Sequence, residues 1–443
     1  MSIGGVSLVV ALLLAACSSQ STAASTASCS RSRWIGAWEA PPSDASHGDD
    51  ISDSVNPPSS SSASVAKPNV KDETIRARFS PTVGGSIVRV QLSNRFGTAP
   101  ITLLRSSIAL GGKRASLTGV PRALRFGGQR AVTISPGSDV WSDPVALRYR
   151  AFDVLAVSSY LGTDIGMPTE HYVARQTSYL SADGSGDHSA DRSGAAFVES
   201  TITRPLVTGL DVKTAATRGA VVALGDSITD GYQGRGPTGV PESQHGLDAN
   251  LRYPDDLARR LRSRGIPLSV LNAGISGNRI LRDGGSGMAA DTAGSSALRR
   301  LRPDVLSQAG VSSVIWMEGI NDIGLNPHAS AAQIISGLRV GIDRLHRAGI
   351  RVLLGTLTPS GGNIYPGYGG SAAATVRSAV NRWIRRSKLP DAVVDFDAAL
   401  RDRSKRDVLR AAYDDGDHLH LSAAGYQAMA DAVPLHELAI PAC

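Results

Sequence analysis

Four short blocks of this chain carry residue types that could transfer an acyl group. Gly225-Asp226-Ser227-Ile228-Thr229-Asp230-Gly231 sets a serine between glycines, directly after the apolar run Ala220 to Leu224. A serine hydroxyl is a weak nucleophile alone and needs a histidine base oriented by a carboxylate. The densest Asp/His cluster, Asp415-Gly416-Asp417-His418-Leu419-His420-Leu421-Ser422, lies near the other end of the chain. Acyl transfer also requires donors aimed at the developing oxyanion. Asn272-Ala273-Gly274-Ile275-Ser276-Gly277-Asn278 offers glycine N–H groups, and Gly319-Ile320-Asn321-Asp322 offers a side-chain amide. Each block alone has a plainer reading, since Gly-Asp-Ser can simply cap a helix and an Asp/His cluster can cap and face solvent. All four together, each after a strand or before a helix, favour the chemistry. Asp415/His418 and Asp417/His420 have the same spacing, and the residues alone leave both pairs open.

The elements that must gather these blocks form an alternating series. Ala220 to Leu224 is a continuous apolar strand of the kind buried on both faces of a parallel sheet. The pattern continues with a helix over 254–264, strands over 268–272 and 311–317, and a helix over 329–348. Ile335, Leu338, Ile342 and Leu345 make one face of that last helix. A strand over 352–357, a helix over 373–386, a strand over 392–396 and a helix over 423–433 complete it. This rhythm predicts a doubly wound α/β domain over 218–441 whose site lies at the carboxyl ends of its strands. Residues 34–200 read differently. Short strands over 87–92, 100–110, 131–135, 145–150 and 154–161 are separated by Gly, Pro, Asn and Asp, the mark of a β-sandwich or jelly-roll-like domain. Residues 41–70, with the run Ser59 to Ser62, read as a long surface loop, disordered in part. The polar stretch 183–217 reads as a junction, and Trp34-Ile35-Gly36-Ala37-Trp38 is apolar enough to dock on a domain.

The four blocks in this order resemble the SGNH (GDSL-type) hydrolase family over about residues 218–441. The resemblance implies a serine esterase with Ser227 as nucleophile and, through its own N–H, first oxyanion donor. It makes Gly277 the second donor and the Asn321 side chain the third. Gly277 fits better than Gly274 because the family's glycine follows a serine or similar small residue, here Ser276. The family places a small polar residue two positions after the catalytic histidine and a glycine five after it. His420 meets both with Ser422 and Gly425, so the resemblance selects Asp417 and His420; Leu421 departs from the proline often found there. No cofactor and no metal is implied. The substrate class is a small-molecule or polysaccharide ester, such as an O-acetyl carbohydrate or a short-chain lipid. An acyltransferase with the same triad, or a non-catalytic surface lipoprotein, is the alternative. The β-rich half resembles the module preceding this domain in one branch of the family, through residues 34–38, 90–97 and Gln176-Thr177-Ser178-Tyr179. That module would be a carbohydrate- or surface-binding unit, or a structural lid.

Residues 1–17 read as a signal peptide whose apolar run Val6 to Ala16 ends in a lipobox-like Leu14-Ala15-Ala16-Cys17. Met1 to Gly5 lacks the usual Lys or Arg, so a plain signal peptide cut within 18–28 is the alternative. Either way the chain is expected to be extracytoplasmic, with a tether over 18–33 and membrane attachment only through a lipid at Cys17. Cys29 and Cys443 would then be free to form a disulfide. The net charge of +7 is spread without a Lys/Arg block, which reads as a dispersed basic surface with no nucleic-acid arm. Gly234 to Gly239 has a dinucleotide-like spacing, but it follows a nucleophile loop and contains Pro237. His47, His171, His188, His245, His328, His346 and His436 show no metal-ligand spacing.

Overall fold

In the computed structural model, residues 1, 29–45, 70–166, 168–233, 246–284 and 293–442 are described. The expectations for Cys17, Cys443, the signal peptide, residues 46–69 and the glycines 234–239 fall outside them. Among the described residues no helix is long and apolar enough to cross a membrane.

The second half of the chain is built on a five-stranded, all-parallel sheet. Its strands lie in the order Leu268–Gly274, Gly219–Gly225, Val311–Met317, Arg351–Gly355, Ala392–Val394. All seven residues of Gly219–Gly225 are buried, because helices cover both faces. Ala220, Val222 and Leu224 pack with Leu338, Ile342, Leu345, Val380 and Ile384. The alternate residues Val221 and Ala223 pack with Tyr253, Leu257, Leu261, Tyr426 and Met429. The period of two along the strand thus meets the 3.6-residue stripe of a helix on each side. The helix Ala331–Arg347 starts at a capping box, with Ser330 and Gln333 bonding each other's backbone N–H. Gly341 in this helix cannot be larger, since a Cβ there would lie 2.2 Å from the Trp316 ring. Ala392–Val394 is shorter than the strand expected from sequence, because Asp395 caps a helix over Phe396–Leu400.

The β-rich half is two antiparallel sheets packed face to face. One holds Arg33–Glu39, Val207–Thr214 and Gly85–Asn94 in that order, with Ser138–Trp141 and Val145–Tyr149 both pairing with Gly85–Asn94. The other runs Glu199–Thr201, Ser178–Leu180, Glu73–Phe79, Leu155–Leu161, Arg105–Leu110, Arg122–Ala123. Val88, Val90 and Leu92 from the first sheet meet Ile75, Phe79, Leu155 and Val157 from the second. The stretch 183–217, expected as a polar junction, contains Val207–Thr214, an inner strand of the first sheet. Its polar residues conceal it: Asp211 is buried but paired with Arg89 at 2.7 Å. Residues 41–44, expected in the surface loop, are buried against the β-half.

The two halves meet along the edge strand Leu268–Gly274. Ile35 sits in the α/β core rather than the β core. Ser269 Oγ donates to Gly36 O at 2.6 Å, and Thr82 Oγ1 donates to Val270 O at 3.0 Å. Trp34 to Trp38 therefore does dock, as a strand shared between the two interiors.

Candidate active site

The strand Gly219–Gly225 ends in a tight turn into the four-residue helix Ser227–Asp230. Asp226 caps that helix, accepting from Ile228 N at 3.0 Å. Gly231 ends it at φ 96°, and a Cβ there would lie 2.0 Å from Arg252. Ser227 is thus the first helical residue, where an N–H has no intrahelical partner. Its Oγ lies 2.9 Å from His420 Nε2. His420 Nδ1 lies 2.5 Å from Asp417 Oδ2, while Asp417 Oδ1 accepts from Leu419 N at 2.8 Å and His420 N at 2.7 Å. Burial alone would raise the Asp417 carboxyl. The His420 imidazole and these two N–H groups outweigh it and hold the acid well below the ordinary carboxylate range. An ionised Asp417 fixes the Nδ1–H tautomer, leaving Nε2 to accept from the serine hydroxyl.

The competing pair is not assembled. His418 turns outward at φ 63° and bonds Asp414 instead of Asp415. Two rings that sequence reasoning missed flank His420: Tyr232 at a centroid distance of 4.4 Å and Tyr365 at 6.3 Å.

The other two blocks come to the same edge of the sheet. In the strand register Gly225 is level with both Gly274 and Met317, so the turns beyond them are neighbours. Gly277 takes φ 77°, a conformation that favours glycine. The N–H of Gly274 is taken by Asn272 Oδ1 at 2.9 Å, and a Cβ on Gly274 would lie 2.2 Å from Asp230 N. Gly274 is thus a close-packing position against the nucleophile helix. Asn321 donates from Nδ2 to Asn278 O at 2.9 Å and accepts from the Tyr368 hydroxyl at 2.7 Å. These partners fix which end of the amide is nitrogen and leave it one further N–H.

Buried groups hold these turns in register. Arg300 donates to Gly225 O at 2.8 Å, Ala273 O at 2.7 Å and Asn278 Oδ1 at 2.8 Å, tying two strand ends to the turn that carries Gly277. Asp230 Oδ2 accepts from Ser276 N at 3.0 Å and Ser276 Oγ at 2.9 Å. The other oxygen of Asp230 lies 3.0 Å from Nε2 of His171, a residue of the β-half. His171 Nδ1 in turn meets Pro41 O at 2.7 Å. Nothing in the spacing of His171 or Arg300 marks them, because their partners are distant in sequence. Burial pushes three acids behind the site upward: Asp226 to about 7, Glu318 to about 8 and Asp322 to about 6. Among the described residues no cluster of three His, Cys, Asp or Glu side chains could hold a metal ion.

Comparison with known proteins adds a family to this geometry. Residues 223–428 match the GDSL-like lipase/acylhydrolase family. No curated protein matches the chain. Similar solved structures include a carbohydrate acetylesterase family member from Sinorhizobium meliloti, 20% identical, with a TM-score of 0.37 over 48% of this chain and 94% of that one. A GDSL-like lipase from Bacteroides thetaiotaomicron is 18% identical, with a TM-score of 0.35 over 50% of this chain and 88% of that one.

Proposed function

With residues 223–428 a member of the GDSL-like lipase/acylhydrolase family, we propose that the chain is an exported serine esterase working through Ser227, His420 and Asp417. The observation that carries this reading is the hydrogen-bonded chain from Ser227 Oγ through the His420 ring to Asp417. As Ser227 Oγ attacks the ester carbonyl carbon, its proton passes to His420 Nε2. The imidazolium is stabilised by Asp417 and returns the proton to the departing alkoxide, leaving an acyl-serine. Water then gives a proton to the same nitrogen, attacks the acyl carbon and releases the acid. The tetrahedral oxyanion is met by the N–H of Ser227, the N–H of Gly277 and the remaining amide N–H of Asn321. The engagement of Gly274 with Asn272 supports assigning the glycine role to Gly277.

Ser227 and His420 are each only 6% exposed, with Tyr232 packed on the imidazole. Such a site suits a short acyl group on a larger alcohol, an O-acetyl glycan or a short-chain lipid ester. The N-terminal 17 residues support export, and Cys17 is the proposed lipid attachment point. The test is Ser227→Ala on p-nitrophenyl acetate. It should remove turnover by at least about 10³-fold with the thermal midpoint unchanged. Activity above a few per cent of wild type would refute the assignment.

A further inference from the structure

The basic charge that is scattered in sequence is gathered in the fold. Arg377, Arg382, Arg385 and Arg386 from the helix Ser371–Arg386 join Arg401 and Arg406 around an open cavity of about 440 Å³. Among the described residues two carboxylates line it, Asp397 and Asp407. They and the adjoining Asp395 occupy half of the arginines. Arg377 bonds Asp397 at 2.7 Å and Asp407 at 2.9 Å, Arg385 bonds Asp395 at 2.7 Å and Asp397 at 2.6 Å, and Arg401 bonds Asp397 at 3.2 Å. Arg382, Arg386 and Arg406 are exposed and meet no carboxylate among the described residues.

The plain reading is that basic residues at a helix C-terminus answer its carbonyl end. It accounts for Arg385 and Arg386. Arg382 lies a turn earlier, and Arg401 and Arg406 come from a different segment. Planar guanidinium groups pointed into one concavity are suited to carboxylate or phosphate oxygens, which they bind in a bidentate fork.

One wall of the cavity, at Asp397 and Asp407, lies toward the rim that carries the catalytic groups. Asp395 and Asp397 follow the carboxyl end of the fifth strand, as Ser227 follows that of the second. Three strand spacings separate those two strands, about 14 Å. One loop joins the two places: Gly361 N donates to Asp407 O at 2.6 Å, and Ile364 N and the Asn363 side chain donate to Asp417 O, each at 3.2 Å. A chain of sugars with its ester at Ser227 could lay a unit a few residues along the chain in the cavity.

We propose that this arginine cavity is an anion subsite for a polysaccharide substrate, holding a carboxylate or phosphate a few units from the ester cleaved at Ser227. The proposal rests on the esterase reading for its substrate but not for its binding. The experiment compares wild type with the double variant Arg382→Ala/Arg406→Ala on p-nitrophenyl acetate, O-acetylated polygalacturonate and O-acetylated xylan. Both residues are exposed and meet no carboxylate among the described residues, so the fold should be unaffected. Turnover of p-nitrophenyl acetate and xylan should be unchanged, while KM for the galacturonate rises about tenfold, and raised salt should do the same to wild type. Calorimetric titration of Ser227→Ala with trigalacturonate and with pyrophosphate separates the anions. Binding of the first assigns a carboxylate, and binding of the second alone a phosphate. Loss of that heat when Arg382→Ala and Arg406→Ala are added to Ser227→Ala places the site in the cavity. An equal change on both polymers, no change on either, or no heat from either anion would overturn the subsite. Retained esterase activity in Ser227→Ala would refute the function instead, and the titrations would still decide the cavity.

Discussion

His420→Ala should be nearly as damaging as loss of the nucleophile, since it removes both the base and the partner that orients Ser227. His418→Ala should leave kcat within about twofold, because its ring points away to Asp414. Steady-state kinetics on p-nitrophenyl acetate decide between them, and the reverse order would transfer the base to His418. Asp226 makes a different kind of prediction. Burial raises its carboxyl to about 7, so the folded chain holds a proton that the unfolded chain, with an ordinary carboxylate, releases near pH 4. Between those values the native state binds more protons, and stability therefore falls as pH rises from about 4 through 7. Asp322 and Glu318 are shifted in the same direction and add to the slope. Asp226→Asn keeps a capping oxygen for Ile228 N and cannot ionise. Its thermal midpoint should fall less than that of wild type between pH 5 and 8; parallel curves would show that Asp226 does not titrate there.

At the scale of elements, the turn carrying Gly277 is fastened through Ser276 and Asp230 to His171 on the opposite half of the molecule. Ser276→Ala removes one of these bonds without opening the buried pair, and His171→Gln retains a donor toward Asp230. Ser276→Ala should lower kcat on p-nitrophenyl acetate by about tenfold while leaving KM and the thermal midpoint near wild type, as expected when an oxyanion donor is misplaced. His171→Gln, which keeps the link, should stay within about twofold. A change in KM alone would mean that the link serves binding. This connection was illegible in the sequence, since a lone histidine beside short strands carries no spacing signal. The elements that position the triad were readable for the opposite reason. Ala220 to Leu224 is unbroken apolar sequence, and the following helices repeat their apolar residues at helical spacing. Val207–Thr214 escaped notice because Thr208, Asp211 and Lys213 break its apolar run, and only the pairing with Arg89 makes Asp211 tolerable inside.

Across the whole molecule, Cys29 is disulfide-bonded, and its N–H donates to Ala215 O at 2.9 Å. Arg218 reaches Pro441 O at 2.9 Å, which brings the chain's last turns to the start of the α/β domain. Cys443 is the partner we expect. Peptide mapping of the unreduced protein should recover residues near 29 and 443 as one linked fragment, and reductant should lower the thermal midpoint by destabilising up to about 4–5 kcal/mol. Two alkylatable thiols in the denatured, unreduced chain would exclude the bridge. Composition could not foretell the arginine cavity, because its residues lie in separate stretches and meet only when helix and turn pack.

The strand Arg33–Glu39 has a consequence for anyone trimming this protein. Ile35 fills the hydrolase interior while Ala37 and Trp38 fill the sandwich, so the segment belongs to both halves at once. A fragment starting near residue 218 would leave a hole where Ile35 sits and expose Leu268–Gly274, the bare margin of a parallel sheet. Such margins recruit strands from other molecules. The family boundary at residue 223 is therefore a poor place to cut. A shortened enzyme would be expected to precipitate before it could be assayed, unless the segment 29–45 were grafted back beside it.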